Sequence, residues 1–479
     1  MGPMHLNLLS NEEIERIHQA TLRILAETGI VLSLPEGRAL LQEHGAGLKD
    51  DRVLLPPELV EEMIAKCVPK VILRGRGGAL NVLGDGSLHW HNLGGARDIY
   101  DPRSGLRRNA VLQDVRDSAR ILDALEGVTT ITPFYTPTDV PGPLMSLMMY
   151  RNTLPHTLKP VQGPGVQTAA EIRFAVRMAE VIGAPQEYLS LGISPVSPLT
   201  YPDDLVEAIL EIARLGVPFG PLPCPTAGTT APLSLAGALA QQNAEVLASV
   251  VLAQAIHPGL PMVYCGRLAM MEPRTGLSVW GGVELGLASA GTVALAHRYG
   301  LPVNVYGLST NAHGFDIQNG YERALNAAIP ALAGADELSG IGELEAGVMG
   351  AHAQMVCDNE IAASVRRLLR GFAVDEDSLA VEVVAAVMEG GGHTQPGRNF
   401  LAQRHTTRYL KSGELLVTHL AERRSWETWE RGGRENMAER AQAEAERLLA
   451  EHQVEPLLSE QEKELDAIMA EARRVLGVD

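Results

Sequence analysis

Two carboxylates stand two residues apart in the polar stretch Gly342-Glu343-Leu344-Glu345-Ala346-Gly347. A second polar stretch upstream, Gly307 to Phe315, carries Ser309, Asn311 and His313. Each follows an apolar run: Leu301-Pro302-Val303-Asn304-Val305-Tyr306 before the first, Glu337 to Ile341 before the second. Acids, an imidazole and a hydroxyl on neighbouring loops can bind a polar substrate or hold a proton beside it. His313 suits steering a substrate carboxylate, hydrogen-bonding a product, or capping its own loop. Cys224, Cys265 and His313, all near predicted strand ends, are the raw material for a zinc site. The plainer reading of these cysteines is small buried apolar residues, since the four in the chain form no Cys-x-x-Cys pair.

These loops need a scaffold. Asp316 is a good N-cap, and Ala324, Leu325, Ala328, Ile329 and Leu332 fall on one face at helical spacing, predicting an amphipathic helix that ends at Gly334. Strand, loop, helix, strand, loop, helix is the grammar of a parallel α/β barrel, whose chemistry lies on the loops after the strands. The two polar loops are therefore expected side by side at one mouth. The same alternation runs back to Val111, with helices near 111–126, 143–153, 168–182, 203–214, 234–256 and 283–299. Strands are predicted near 128–133, 159–162, 188–194, 217–222, 261–266, 301–306 and 337–341, which makes seven. An eighth must come from the N-terminal preface or from beyond Ala373, where a helix at Ser378 to Met388 leads into Gly390-Gly391-Gly392-His393. The expected class is α/β, a (β/α)8 barrel over 111–420. An α+β extension covers 1–110, and a charged helical tail covers 421–479. In the extension, Ser10-x-x-Glu13 forms a capping box, and short strands at 80–83 and 88–92 are expected to form a hairpin across Gly84-Asp85-Gly86. A second box at Ser459-x-x-Glu462 opens a tail helix. The tail packs on the barrel or on another subunit, and a homo-oligomer is expected.

Apolar residues at 46% and charged residues at 20% describe a globular chain. Its net charge of −18, with no basic stripe, argues against nucleic acid and anionic membranes as partners. No uninterrupted apolar run is long enough to span a bilayer, and Met1 to Ser10 lacks the zones of a signal peptide, so a cytoplasmic location is expected. No Walker motif or dinucleotide fingerprint is present.

Several segments together carry a resemblance. They are Gln242-Asn243-Ala244-Glu245-Val246-Leu247-Ala248 with His257-Pro258-Gly259, Asp316-x-Gln318-x-Gly320-x-Glu322 with Leu332-Ala333-Gly334-Ala335, Gly340-x-Gly342-x-Leu344-Glu345-x-Gly347, Asp358-Asn359-Glu360, Asn399-Phe400-Leu401 and Trp429. In order and spacing the chain resembles the trimethylamine methyltransferase superfamily, whose members move a methyl group from a methylated amine to a corrinoid protein. Members specific for trimethylamine carry pyrrolysine in the loop after the 301–306 strand. Here that slot reads Leu308-Ser309-Thr310-Asn311-Ala312-His313, with Ser309 at the pyrrolysine position. The chain is thus similar to the branch without pyrrolysine, typified by glycine betaine as substrate. His313 stands where pyrrolysine members have lysine, and Glu343 where they have an apolar residue.

The resemblance implies an α/β barrel, a small quaternary amine as methyl donor, and a separate corrinoid protein that supplies cobalamin. It implies no tightly bound cofactor, and cysteines without paired spacing predict no metal of the chain's own. A quaternary ammonium favours aromatic faces and a carboxylate. Aromatics are scarce at 4%, so those at predicted strand ends are the candidate binders: Tyr100, Phe134, Tyr135, Trp280, Tyr306 and Phe315. Arg267 at a strand end can clamp a carboxylate. Ser309 and Asn311 line the same mouth, and Glu345, Glu343 and His313 are the candidate catalytic groups. Two alternatives stand beside this reading: a zinc-dependent barrel enzyme using Cys224, Cys265 and His313, and a quaternary-amine binder without catalysis.

Overall fold

The computed structural model describes residues 6–163, 165–389 and 399–478. Short aliphatic and aromatic runs form parallel strands that are covered on both faces. In chain order they are β1 (His89–Asn92), β2 (Val161–Gly163), β3 (Leu189–Ile193), β4 (Phe219–Pro221), β5 (Tyr264–Gly266), β6 (Val303–Tyr306) and β7 (Glu337–Ile341). One parallel sheet runs β4-β3-β2 and another runs β5-β6-β7-β1. Isolated parallel bridges join them: Phe219 of β4 to Met262, Ile131 to Val161 of β2, and Thr130 to His91 of β1. The architecture is mixed α/β, with helices between the strands. The run Gly390 to His393 lies outside the described residues.

The strand that the sequence could not place is β1, and it comes from the preface. The expected hairpin between 80–83 and 88–92 does not form. Residues 80–83 pair antiparallel with 71–74 instead, and β1 lies parallel to β7 with His89 opposite Glu337. All four residues of β1 are buried. A two-stranded ribbon would leave Trp90 half wet, whereas the sheet edge at β7 covers both faces.

Four helices position the loops: α1 (Leu235–Ile256), α2 (Val283–Arg298), α3 (Ile317–Ala333) and α4 (His352–Arg370). By length and mean hydropathy α1 could cross a membrane, yet most of it is buried within the chain. It is the core helix, and its buried acid is paired: Glu245 accepts from Ser197 Oγ at 2.8 Å and from Leu199 N at 3.0 Å. Two tail helices, α5 (Met437–Glu451) and α6 (Ser459–Val475), pack on α4 and on the helix Ala169–Glu180, so the tail belongs to its own chain. The cap of α6 is one residue off the expected box. Leu458 is the N-cap, and Gln461 reaches back to its N–H at 2.9 Å.

On α3 the expected face is inverted. Asp316 caps it and Gly334 ends it as expected, but the buried residues are Asn319, Glu322, Arg323, Asn326, Ala327, Pro330 and Ala331. Leu325 and Ala324 face solvent. The inward face is polar because it holds the two loops. Arg323 Nη1 donates to Leu308 O at 2.8 Å and to Asp358 Oδ2 of α4 at 3.0 Å, and Nη2 donates to Glu343 O. Asp358 Oδ2 also accepts from Gly342 N at 2.7 Å, and Gln354 donates to Oδ1 at 2.8 Å. Glu322 Oε2 accepts from Thr310 Oγ1 at 2.6 Å and from Asn311 N at 2.9 Å. Close packing adds to this. Gly340 has φ +108° and lies where a Cβ would meet Leu308 O at 2.5 Å, so no side chain fits between the loops.

Breaking a buried ion pair leaves one charge uncompensated, at a cost of about 3–5 kcal/mol. Arg323→Met and Asp358→Asn are each expected to destabilise by that order in urea unfolding. The double variant should lose clearly less than the sum of the two, and full additivity would refute the coupling.

Candidate active site

The two polar loops lie side by side at the C-terminal ends of β6 and β7, as expected. Glu345 N donates to Ala312 O at 2.9 Å, and Ala346 N to Thr310 O at 2.8 Å. Glu343 is wholly buried between them. Its Oε1 accepts from Thr310 N at 3.3 Å. Neither its Oε2 nor the neighbouring Ser309 Oγ has a hydrogen bond of normal geometry. Burial pushes the Glu343 carboxyl up to about 7, with Arg323 and the Ser309 hydroxyl pulling the other way. No side chain is ion-paired to it among the described residues, and Thr310 N is the hydrogen-bond donor of normal geometry to its carboxylate.

Around Glu343 the aromatics sort into separate clusters. Tyr306 ends β6, and burial together with the charge of Glu343 pushes its phenol far above the ordinary range. Trp280 meets Tyr306 edge-on at 5.1 Å, and the Arg267 guanidinium stands over the Tyr306 ring at 4.8 Å. Asn311 holds Trp280 in place, its Oδ1 accepting from the N–H groups of Trp280 and Gly281 at 2.7 Å each. These residues form one constellation with Glu343 and Ser309. Tyr100 and Phe315 stack at 6.3 Å in a second cluster with Leu344 and Met349. Phe134 and Tyr135 form a third, 4.5 Å apart. There Phe134 packs under Gly342 and Gly350, and Tyr135 turns to His352 at 6.1 Å.

The remaining candidates lie at the rim. Glu345 is half-buried, accepts from Arg107 Nη1 at 2.7 Å and lies 3.4 Å from His313 Nε2. His313 is exposed, so it and Glu345 link the two loops to the hairpin Asp98–Asp101/Leu106–Asn109 rather than lining the buried constellation. The alternative zinc set does not assemble. His313 faces Glu345, burial pushes the Cys224 and Cys265 thiols up to about 11 and about 12, and among the described residues no group of three or more metal-ligating side chains stands together.

Sequence reasoning missed a polar layer inside the strands. Arg267 is buried and donates to Asn304 through Nη1 to O at 2.9 Å and through Nη2 to Oδ1. Asn304 Nδ2 lies 2.9 Å from His91 Nε2 and donates to Glu337 Oε2 at 2.5 Å. Gln162 donates to Glu337 Oε1 at 3.0 Å. The layer spans β1, β2, β6 and β7. Burial pushes the His91 imidazole below its ordinary value, against the pull of Glu337. Arg267 has no carboxylate ion-paired to it among the described residues. The signal was legible as polar residues inside apolar runs, Asn304 between Val303 and Val305 above all.

A carboxyl held near 7 in the folded state, against 4.5 ordinarily, binds a proton that the unfolded chain releases. Its contribution to stability is therefore greatest at low pH, falls as pH rises from 4.5 towards 7, and is a full penalty above that. Glu343→Gln removes the penalty. The variant should gain melting temperature relative to the parent at pH 8 and not at pH 5; an equal shift at both would contradict the assignment.

A family model described as trimethylamine methyltransferase (MTTB) matches residues 2–477. The chain is 30% identical over 483 residues to the trimethylamine methyltransferase of Desulfitobacterium hafniense, covering 98% of this chain and 94% of that one. It is 30% identical over 489 residues to that of Methanosarcina barkeri, and 28% identical over 483 residues to the glycine betaine methyltransferase of D. hafniense, covering 98% of each chain in the latter case. In fold it is similar to the Methanosarcina barkeri monomethylamine methyltransferase, at TM-score 0.50 and 12% identity over 97% of this chain and 92% of that one. A hydroxylamine complex of MtmB aligns at TM-score 0.51 and 13% identity. The chain belongs to the trimethylamine methyltransferase family and is a methyltransferase.

Proposed function

We propose that this methyltransferase takes a methyl group from a small quaternary amine of the glycine betaine type and delivers it to the Co(I) corrinoid of a partner protein. We further propose that the parallel strands and the segment at 130–131 close into a (β/α)8 barrel with the site at its mouth. The bridges from β4 to Met262, from Ile131 to β2 and from Thr130 to β1 support closure, since they link the two sheets at both ends.

The observation that carries the substrate reading is the buried carboxylate of Glu343, one oxygen without a hydrogen bond of normal geometry, whose charge acts on the Tyr306 phenol. Such a pair suits a cation that brings no hydrogen-bond donor, and a quaternary ammonium is that cation. Arg267, buried without an ion pair among the described residues and over the Tyr306 ring, suits a carboxylate on the same small molecule. Ser309 at the pyrrolysine slot argues against trimethylamine. A quaternary nitrogen needs no activation to leave: the cobalt electron pair forms the new bond to carbon, and the C–N pair stays on a neutral amine. The chain's part is to bind, orient and exclude water. The acceptor has to arrive from outside, at the loops that follow β6 and β7. There α3 turns Ile317, Tyr321 and Leu325 to solvent, giving a transient partner apolar footing next to the site.

Methyl transfer to the corrinoid protein, followed by absorbance, is expected from glycine betaine and not from trimethylamine. Equal rates from both would overturn the reading. Tyr306→Ala should cost about 1–2 kcal/mol of amine affinity while leaving corrinoid-protein affinity intact. Amine affinity should also rise with pH through about 7, as Glu343 ionises, and Glu343→Gln should flatten that rise.

A further inference from the structure

Of the four cysteines, Cys224 alone is exposed. It stands between Pro223 and Pro225, just past the end of β4. The chain beyond β5 fixes its place: Arg267 N donates to Pro223 O at 3.1 Å, and Ala269 N to Pro225 O at 3.0 Å. Although the side chain is exposed, so much protein surrounds it that burial pushes the thiol up to about 11, against the pull of the Arg267 guanidinium and the Ser194 hydroxyl. A group that is accessible and yet enclosed faces an internal space, not the outer surface. Tyr306 behaves in the same way: it is half-buried, and burial still pushes its phenol far above the ordinary range.

The groups around that space belong to the constellation already built. The Arg267 guanidinium lies over the Tyr306 ring at 4.8 Å, and Trp280 meets the same ring at 5.1 Å. The charges of Glu343 and of Cys224 both act on the Tyr306 phenol. Ser309 and Glu343 are at most 1% exposed, and Ser309 Oγ and Glu343 Oε2 lack a hydrogen bond of normal geometry. Buried polar atoms left open in this way call for a ligand. Ser309 and Glu343 approach from β6 and β7, and Cys224 approaches from β4, beside Arg267.

A thiol suits a wall at that place. It is small and polarisable, and packs well against methylene and methyl groups. Its proton goes to Leu222 O at 3.5 Å, so it asks no hydrogen bond of a ligand. Held protonated near neutral pH, it does not compete for the methyl group, which only a thiolate would attack. We infer that Cys224 is a wall of the substrate chamber and sets the length of the acid-bearing arm that the amine can carry. The arm-length part rests on the betaine reading, in which the ammonium lies at Glu343 and the carboxylate at Arg267.

The test uses the full parent chain and 2-(trimethylammonium)ethyl methanethiosulfonate at mildly alkaline pH. This reagent forms a disulfide with a thiolate, releases methanesulfinate, and leaves a trimethylammonium group on the cysteine. Peptide mapping is expected to find the adduct on Cys224, with Cys265 and Cys357 unmodified. The labelled chain should keep its circular dichroism and lose at least tenfold in affinity for glycine betaine. Saturating glycine betaine should in turn slow the labelling at least tenfold. In Cys224→Ala, the ratio of kcat/KM for a betaine with three methylenes in its acid arm to that for glycine betaine should rise at least tenfold. Protection by trimethylamine in place of glycine betaine would sink the betaine reading and still place Cys224 in the chamber. A Cys224 that stays unmodified, an adduct that leaves amine affinity unchanged, or an arm-length ranking that Cys224→Ala does not alter would each overturn the inference. The labelling arm needs no variant, so it decides the matter even if Cys224→Ala folds poorly.

Discussion

The ion pair between Arg323 and Asp358 is the constraint on which the site depends. Both groups are fully buried, where two charges are tolerated only if every remaining donor and acceptor is satisfied. The satisfying groups are the backbone of the two functional loops: Leu308 O, Glu343 O and Gly342 N. The loops are thus ligands of the ion pair, and their spacing follows from its geometry. Gly340 lets the backbones close up, and Glu322 holds Thr310 and Asn311 from the next turn of α3. The burial of Arg323 and the position of Glu343 are two results of one packing arrangement.

Above that clamp the interior is polar in two layers. The lower layer, Arg267 with Asn304, Glu337, Gln162 and His91, crosses the strands and is connected throughout by hydrogen bonds. The upper one, Glu343 with Ser309, is incomplete by comparison: one carboxylate oxygen and the serine hydroxyl lack a hydrogen bond of normal geometry in a low-dielectric setting. The same burial that raises its proton affinity raises its affinity for positive charge. The Tyr306 ring has the Arg267 guanidinium over it at 4.8 Å, and the charge of Glu343 acts on its phenol.

The chain separates these tasks along its length. The polar loops lie at the strand ends, and α6 ties the outer helices together through pairs such as Arg151 with Glu462 at 2.5 Å and Arg177 with Glu471 at 2.8 Å.

The alternation of strands and helices, the adjacency of the two polar loops, the caps at Ser10 and Asp316 and the family were all legible in the sequence. These rest on local periodicity and on short motifs, which a linear reading can see. The sequence could not say that His89–Asn92 leaves its apparent hairpin to join β7, because strand choice depends on which sheet edge is left open. Nor could it say that α3 buries its polar face, since periodicity reports amphipathicity without saying which side faces in when buried charges are paired. It grouped Tyr100, Phe134, Tyr135 and Phe315 with Tyr306 by their nearness to strand ends. Tertiary packing turned them into separate clusters, because side-chain direction at a strand end is set by the residues that fill the space beyond it. Glu343 stood in the sequence beside Glu345 as one of two acids in a loop. Only the fold made one of them a paired rim residue and left the other buried with an oxygen to offer.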